Sequence, residues 1–277
     1  MIRMIATDID GTLLPAGHSS IPTRVLTALE RAIAQGIPVV PTSGRMLVDL
    51  PMELLTLPGV RYAITCNGAA ITDLTTEERI FERSIPAAFA AEILRELSHY
   101  RVYTSVYMSD GNRNHKEYPE EMLSFYPERY AFFRHRPEED LPSFLEERGE
   151  GVDKIFIACY DMKEKDRIRR EMGNIPGILI TTSSPRNLEI NYKNADKGQA
   201  VTWLGQYLGI PIEEILAMGD NENDYNMLSV AGKTVVPENG TDIVKRMATW
   251  VVPPCEACGV ATFLEKHVLK PEHNWQV

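Results

Sequence analysis

The chain has 277 residues, of which 44% are hydrophobic and 25% charged, the balance of a soluble globular protein with room for one large domain or two smaller ones. Its 39 acidic against 29 basic residues leave a net charge of −10, which excludes broad, sequence-independent binding to nucleic acid or anionic membrane, because a Lys/Arg surplus carries such binding. No stretch approaches the roughly 18 apolar residues that span a bilayer, and Met1 to Asp8 lacks a signal-peptide layout, so a cytoplasmic protein is expected.

Short apolar runs alternate with helical patterns, which predicts βαβ units and a parallel sheet. Ile2 to Thr7 reads as a buried strand that ends at an acidic pair, Asp8 and Asp10. Val25, Leu26, Leu29, Ala32 and Ile33 then recur at helical spacing, started by Ile21-Pro22-Thr23 and stopped at Gly36. Ile37 to Val40 is a second strand, ending at Pro41-Thr42-Ser43-Gly44-Arg45, and Tyr62 to Thr65 a third, ending at Cys66-Asn67-Gly68. Each finishes in small or polar residues, where an open α/β sheet places its ligand crevice.

From about Ile85 the order changes to a helix over Ala87 to Leu97, a strand over Val102 to Met108 and an aromatic-rich stretch holding Tyr118, Phe125, Tyr126, Tyr130, Phe132 and Phe133. Strands over Ile155 to Cys159 and Ile178 to Thr182 follow, with a charged helix, Lys163 to Met172, between them. The strand-then-acid pattern is scarce here. The doubly wound pattern resumes near Leu188 with a helix, Lys197 to Leu208, and a strand, Glu214 to Met218, that ends at Gly219-Asp220. The expected architecture is therefore α/β: a doubly wound, Rossmann-like parallel-sheet core formed by residues 1–84 and 187–277, interrupted by an α/β insert at 85–186.

Four cysteines are too few for a disulfide framework in a chain of this length. Cys255-Glu256-Ala257-Cys258 has zinc-ligand or redox spacing, but no second pair accompanies it to complete a tetrahedral site. Two thiols in a C-terminal loop are the plainer expectation.

The strand ends carry the chemistry. Asp8 and Asp10 would share a face while the strand persists, and paired carboxylates call for a hard cation such as Mg²⁺. Gly11-Thr12 lets the chain turn sharply after them. Ser43-Gly44 at a strand-to-helix junction offers a hydroxyl and backbone N–H groups to an oxyanion, although Ser is equally a plain helix cap there. Lys197 stands at the opening of a helix, where a cation opposes the helix dipole, which suggests a partner in an anionic ligand or in Asp8; a surface lysine is the alternative. Asp220 and Asp224, four apart in Gly219-Asp220-Asn221-Glu222-Asn223-Asp224, share one face of a helical turn, and the EF-hand pattern fails there. Arg134, His135 and Arg136 could add a second anion contact, or form a patch neutralised by Glu138-Glu139-Asp140; Arg186 and Asn187 are similar candidates.

Asp8-Ile9-Asp10-Gly11-Thr12-Leu13-Leu14, Thr42-Ser43-Gly44-Arg45, Cys66-Asn67-Gly68-Ala69, Asp196-Lys197-Gly198 and Gly219-Asp220-Asn221-Glu222-Asn223-Asp224 together resemble the haloacid dehalogenase superfamily, most closely its Cof-type branch with a type IIB cap. The closing Cys258-Gly259-Val260-Ala261 resembles the same branch. The resemblance implies that Asp8 attacks phosphorus to form an aspartyl phosphate, while Asp10 protonates the leaving alcohol and then activates water. It implies Mg²⁺ on the Asp8 carboxylate, the Asp10 carbonyl and Asp220. It implies phosphate contacts from Ile9, Ser43, Gly44, Lys197 and Asn223, with Thr12, Arg45, Asn67, Gly68 and Asp224 in support. Asp196 before Lys197 departs from the usual uncharged residue and could trim the lysine's local field. The implied activity is Mg²⁺-dependent hydrolysis of small phosphorylated metabolites such as sugar phosphates, with the insert choosing the substrate. Phosphoryl transfer within a sugar is the alternative enzymatic reading. A phosphorylated switch or binding module is the other, and Asp10 argues against it by shortening the life of an acyl phosphate.

Overall fold

The computed structural model describes residues 1–114 and 137–269. The aromatic-rich stretch from Tyr118 to Phe133 and the Arg134-His135-Arg136 cluster lie outside the described residues. Along the chain the first elements are β1 (Met4–Thr7), α1 (Thr23–Ala34), β2 (Val39–Pro41), α2 (Met52–Leu55) and β3 (Tyr62–Thr65). The strands β4 (Ala70–Asp73) and β5 (Glu78–Glu82) follow, then α3 (Ala87–Leu97), β6 (Val102–Met108), β7 (Gly111–Asn114) and α4 (Leu141–Arg148). Next come β8 (Lys154–Cys159), α5 (Met162–Met172), β9 (Ile178–Thr181) and β10 (Asn187–Tyr192). The last group is α6 (Lys197–Tyr207), β11 (Ile215–Met218), α7 (Tyr225–Val230), β12 (Lys233–Pro237), α8 (Asp242–Lys245), β13 (Trp250–Val252) and α9 (Gly259–His267).

The first sheet is parallel, in the order β13-β12-β11-β1-β2. A parallel bridge from Thr42 to Ile64 sets β3 beside the end of β2. Its strands read as continuous apolar runs because both faces are covered. Ile5, Val39, Leu216, Met218 and Val235 pack on one face with Val25, Ala28, Leu29 and Ala32 of α1 and with Phe263 and Leu264 of α9. Met4, Ala6, Val40, Ile215, Ala217 and Val236 pack on the other with Ala200, Val201 and Leu204 of α6 and with Met227 and Leu228 of α7. Adjacent residues thus serve opposite layers, the period of two that strand geometry demands.

The second sheet is antiparallel, in the order β7-β6-β8-β10-β9. Val106, Ile155, Ile157, Leu188 and Ile190 bury one face under α3, α4 and α5. Tyr103, Tyr107, Phe156 and Ala158 pack from the opposite face against Met46, Cys66, Ala69 and Ala195 beside the end of the parallel sheet. β3, β4 and β5 form a separate antiparallel meander. Among the described residues no helix is long and apolar enough to cross a membrane.

One expectation needs correction. The return to the parallel sheet does not start near Leu188, because Asn187–Tyr192 pairs antiparallel with both β8 and β9. Leu188 and Ile190 alternate with Asn187, Glu189 and Asn191, which marks a strand with one apolar and one polar face, whereas an inner strand of the parallel sheet is apolar on both. β4, β5, β12 and β13 also lie where the sequence reading placed no strand.

Candidate active site

Asp8 follows the last residue of β1 and donates its backbone N–H to the Met218 carbonyl at 2.8 Å, so it stands at the carboxyl end of the sheet's middle. The sharp turn after it brings Thr12 Oγ to 2.9 Å from Asp220 Oδ1, at the end of β11. Gly11 is required here. Its φ is +86°, and a Cβ would lie 2.4 Å from Asp220 Oδ2.

Lys197 opens α6, whose N-cap is Asp196; the Asp196 carboxylate accepts the Gln199 N–H at 3.0 Å. The Lys197 side chain is wholly buried, and its Nζ donates to Asp8 Oδ1 and Asp224 Oδ1, each at 2.5 Å. Burial lowers its pKa, but Asp224 and Asp8 outweigh that and raise it, so the ammonium persists. Asp224 Oδ2 also accepts the backbone N–H groups of Asp220 at 2.9 Å and Asn221 at 3.0 Å, which shapes the loop.

Asp8, Asp220 and Asp224 are all buried, with one carboxylate oxygen of each within 4.8 Å of the others. A single ammonium does not balance three carboxylates. Burial, then repulsion from Asp224, push the Asp8 carboxyl up to about 7 despite Lys197. Burial and repulsion from Asp8 and Asp224 likewise raise Asp220 well above the ordinary carboxylate range. Such a hard-oxygen cluster fits a divalent cation, which Asp8 and Asp220 could hold while both Asp224 oxygens are engaged by Lys197 and the loop N–H groups. No cysteine belongs to a metal-holding cluster among the described residues. Cys255 is buried with Sγ 3.2 Å from the Thr12 carbonyl, and burial first, helped by nearby acids, pushes its thiol up to about 12.

Asp10 is not part of that cluster. The strand ends at Thr7, so its alternation does not carry through to residue 10, and the Asp10 carboxylate turns to Arg45 instead. Arg45 Nε reaches Asp10 Oδ2 at 2.8 Å and Nη2 reaches Oδ1 at 2.6 Å, a fork on a half-exposed carboxylate. Arg45 Nη1 also donates to the Asp49 carbonyl at 2.9 Å. The cation that Asp10 answers in this geometry is therefore a guanidinium.

Asp8 and Asp10 line a cleft together with Ser43, Gly44 and Asn223. Ser43 is buried and its Oγ accepts the Arg45 N–H at 3.2 Å. Ile9 is wholly buried in the core, and its carbonyl accepts the N–H groups of Leu13 at 2.9 Å and Leu14 at 2.8 Å, which holds the turn shut. Asn67, in the left-handed region at φ 58°, accepts from Asn223 Nδ2 at 3.2 Å through Oδ1. The next residue, Gly68, lies against the Asp196 carbonyl, where a Cβ would come within 2.3 Å. Two candidates do not line the cleft: Arg186 donates to the Tyr160 carbonyl at 2.7 Å, and Asn187, the buried first residue of β10, donates to Ser183 Oγ at 2.9 Å behind the cleft wall.

The sequence reading missed the wall contributed by the second sheet: Tyr107, Lys154, Ser183 and Glu189 also line the cleft, as does Asn221. A signal was available. A lysine opening the apolar strand Lys154–Cys159, and a glutamate between Leu188 and Ile190, are costly to bury without a reason.

A family profile described as haloacid dehalogenase-like hydrolase matches residues 5–264. The chain belongs to this family. It is 31% identical over 299 residues to Phosphatase YwpJ of Bacillus subtilis, covering 97% of this chain and 100% of that one. It is 28% identical over 287 residues to the 5-amino-6-(5-phospho-D-ribitylamino)uracil phosphatase YwtE of Bacillus subtilis, covering 96% and 98%. A haloacid dehalogenase subclass IIB sugar phosphatase of solved structure, BT4131, shares the fold with a TM-score of 0.80 at 23% identity, over 95% of this chain and 98% of that one.

Proposed function

We propose that the chain is a phosphatase that hydrolyses small phosphomonoesters through a covalent phosphoryl group on Asp8. The observation that carries this reading is the Lys197 ammonium, wholly buried and 2.5 Å from both Asp8 and Asp224, on a carboxylate that faces a cleft. Lys197 aims one Asp8 oxygen and lowers its repulsion toward an incoming phosphate, and Asp224 aims Lys197. The free Asp8 oxygen attacks phosphorus, the bond from phosphorus to the ester oxygen breaks, and Asp10 delivers a proton to that oxygen as the alcohol leaves. Water then attacks the same phosphorus while Asp10 takes its proton, and the bond to Asp8 breaks to release inorganic phosphate. Arg45 is forked onto both Asp10 oxygens, which holds the carboxylate ionised, so one Asp10 oxygen leaves the fork when it takes up the proton that it delivers.

Mg²⁺, held by Asp8, Asp220 and the Asp10 carbonyl, would supply the positive charge that lets an anionic carboxylate approach an anionic phosphate. Ser43, the Gly44 N–H, Lys197 and the Asn223 amide would hold the phosphoryl oxygens. Residues 85–192 then act as a cap whose polar inner face meets the alcohol portion of the substrate. That face brings Ser183 and the Tyr107 ring to the cleft with the buried Lys154–Glu189 pair behind them, a polar and aromatic wall that suits a hydroxyl-rich metabolite such as a sugar phosphate.

A screen of phosphorylated metabolites with Mg²⁺ and with EDTA tests this. Phosphate release that requires Mg²⁺ and favours sugar phosphates or similar polyol esters is expected. Conversion to an isomer with no inorganic phosphate would point to a mutase and sink the reading.

A further inference from the structure

The wall of the cleft formed by the second sheet contains a buried ion pair, Lys154 Nζ to Glu189 Oε1 at 3.0 Å, with side chains 2% and 1% exposed. Glu189 lies opposite Phe156 in the β8–β10 register, so Lys154 is its diagonal neighbour on the same face. A buried ion pair contributes little to stability compared with apolar residues of the same size, so its presence calls for another explanation.

Its contacts supply one. Both charges reach across to the loops of the parallel sheet that bear the phosphate-binding candidates. Lys154 Nζ donates to the Gly44 carbonyl and lies 4.6 Å from the centre of the Tyr107 ring. Glu189 Oε2 accepts from Asn67 Nδ2 at 2.7 Å. Asn67 Nδ2 donates also to Asn191 Oδ1 at 3.2 Å, and because an ionised carboxylate only accepts, Glu189 and Asn191 together turn the Asn67 NH₂ toward the second sheet and its oxygen away. That oxygen then accepts from Asn223 Nδ2 at 3.2 Å, which obliges Asn223 to turn its NH₂ toward Asn67. One Asn223 N–H is thereby engaged and the other is left for an oxyanion. The packing leaves no slack: a Cβ on Gly44 would lie 2.8 Å from Asn67 Oδ1 and 3.5 Å from Glu189 Oε2.

We propose that Glu189 and Lys154 are positioning residues which, from the second sheet, set the orientation of the phosphate donors: Glu189 through Asn67 to Asn223, and Lys154 through the Gly44 carbonyl. The donor set is then complete only when the second sheet is seated on the first, so phosphate affinity reports that seating. The proposal rests on the phosphatase reading for the identity of the ligand, and inorganic phosphate serves as the probe.

The test is a double-mutant cycle on the full chain in Mg²⁺. Inorganic phosphate binding is measured by calorimetry, and its inhibition of p-nitrophenyl phosphate hydrolysis alongside. Glu189→Gln, nearly isosteric, removes the charged acceptor, leaves Asn191 Oδ1 alone to hold the Asn67 NH₂, and is expected to weaken phosphate binding about tenfold. Asn223→Ala is expected to weaken it similarly, and the double variant Glu189→Gln/Asn223→Ala no more than Asn223→Ala alone. Phosphate affinity of Glu189→Gln within about twofold of wild type, or losses that multiply in the double variant, overturns the proposal. If Glu189→Gln does not fold, the charge-neutral Lys154→Met/Glu189→Gln replaces it, and wild-type phosphate affinity in that protein is equally contrary. A chain that binds phosphate with the stated coupling yet hydrolyses no ester refutes the phosphatase reading and keeps this one. Failure of the wild-type protein to bind phosphate overturns both.

Discussion

Asp8 is a carboxylate whose surroundings oppose its charge, and the pair of Lys197 with a cation site reconciles the two. Asp8→Asn is therefore expected to abolish turnover while the melting temperature stays within a few degrees of wild type, because an isosteric amide removes a repelling charge without opening a cavity. Full activity in that variant rules out Asp8 as nucleophile. Lys197→Met is expected to be the harsher change, leaving Asp8 and Asp224 buried without their counter-ion at a cost of about 3–5 kcal/mol, read by denaturant titration; a loss under about 1 kcal/mol would show that the ammonium is not what stabilises this cluster. Much of this centre was legible in the sequence. Two acids, a hydroxyl, a lysine and a second acidic loop all fall at the ends of strands or the opening of a helix, where such residues are rarely buried without a partner. The role of Asp10 was legible only in part, since strand alternation was extended past Thr7 and its true side-chain partner, Arg45, lies 35 positions away. Lys154 and Glu189 escaped because their meeting depends on the register of two antiparallel strands and on how one sheet sits on the other.

At the level of elements, α6 shows how local capping serves the site. The Asp196 side chain accepts the Gln199 N–H, fixing the first turn from which Lys197 projects. Asp196→Ala is expected to lower stability by about 1 kcal/mol in denaturant titration and to lower kcat more than it raises KM, because the misdirected group is Lys197 and not a determinant of the alcohol portion. A variant with intact stability and kinetics would show that the cap is dispensable. β1, β2 and β11 of the parallel sheet were readable because burial on both faces makes them apolar runs, and α1 because Val25, Leu26, Leu29, Ala32 and Ile33 keep helical spacing. β10 was misplaced for the opposite reason: Asn187, Glu189 and Asn191 break its apolar run, and Glu189 among them lines the cleft. β12 opens on Lys233, both β12 and β13 are short and end among prolines, and each is held by its neighbour, β12 by β11 and β13 by β12, and not by a pattern of its own.

For the whole molecule, the buried carboxylates tie stability to pH and metal. The Asp8 carboxyl is raised from 3.8 to about 7 and Asp220 also moves up, so between these values the folded chain holds protons that the unfolded chain releases. This contribution to stability is present below the unfolded value and is lost as pH rises through the folded one. A divalent cation binds the ionised pair and opposes that loss. The rise in melting temperature on adding Mg²⁺ over EDTA is thus expected to be larger at about pH 8 than at about pH 5; an equal or smaller rise at the higher pH contradicts the cation site. The central claim, a phosphoryl group carried on Asp8, is tested most directly by rapid acid quench during turnover of a phosphomonoester, followed by peptide mass spectrometry. The account predicts a phosphorylated peptide containing Asp8 in the wild-type protein and none in Asp8→Asn. Steady phosphate release with no phosphopeptide, or a phosphoryl group on another residue, would contradict it.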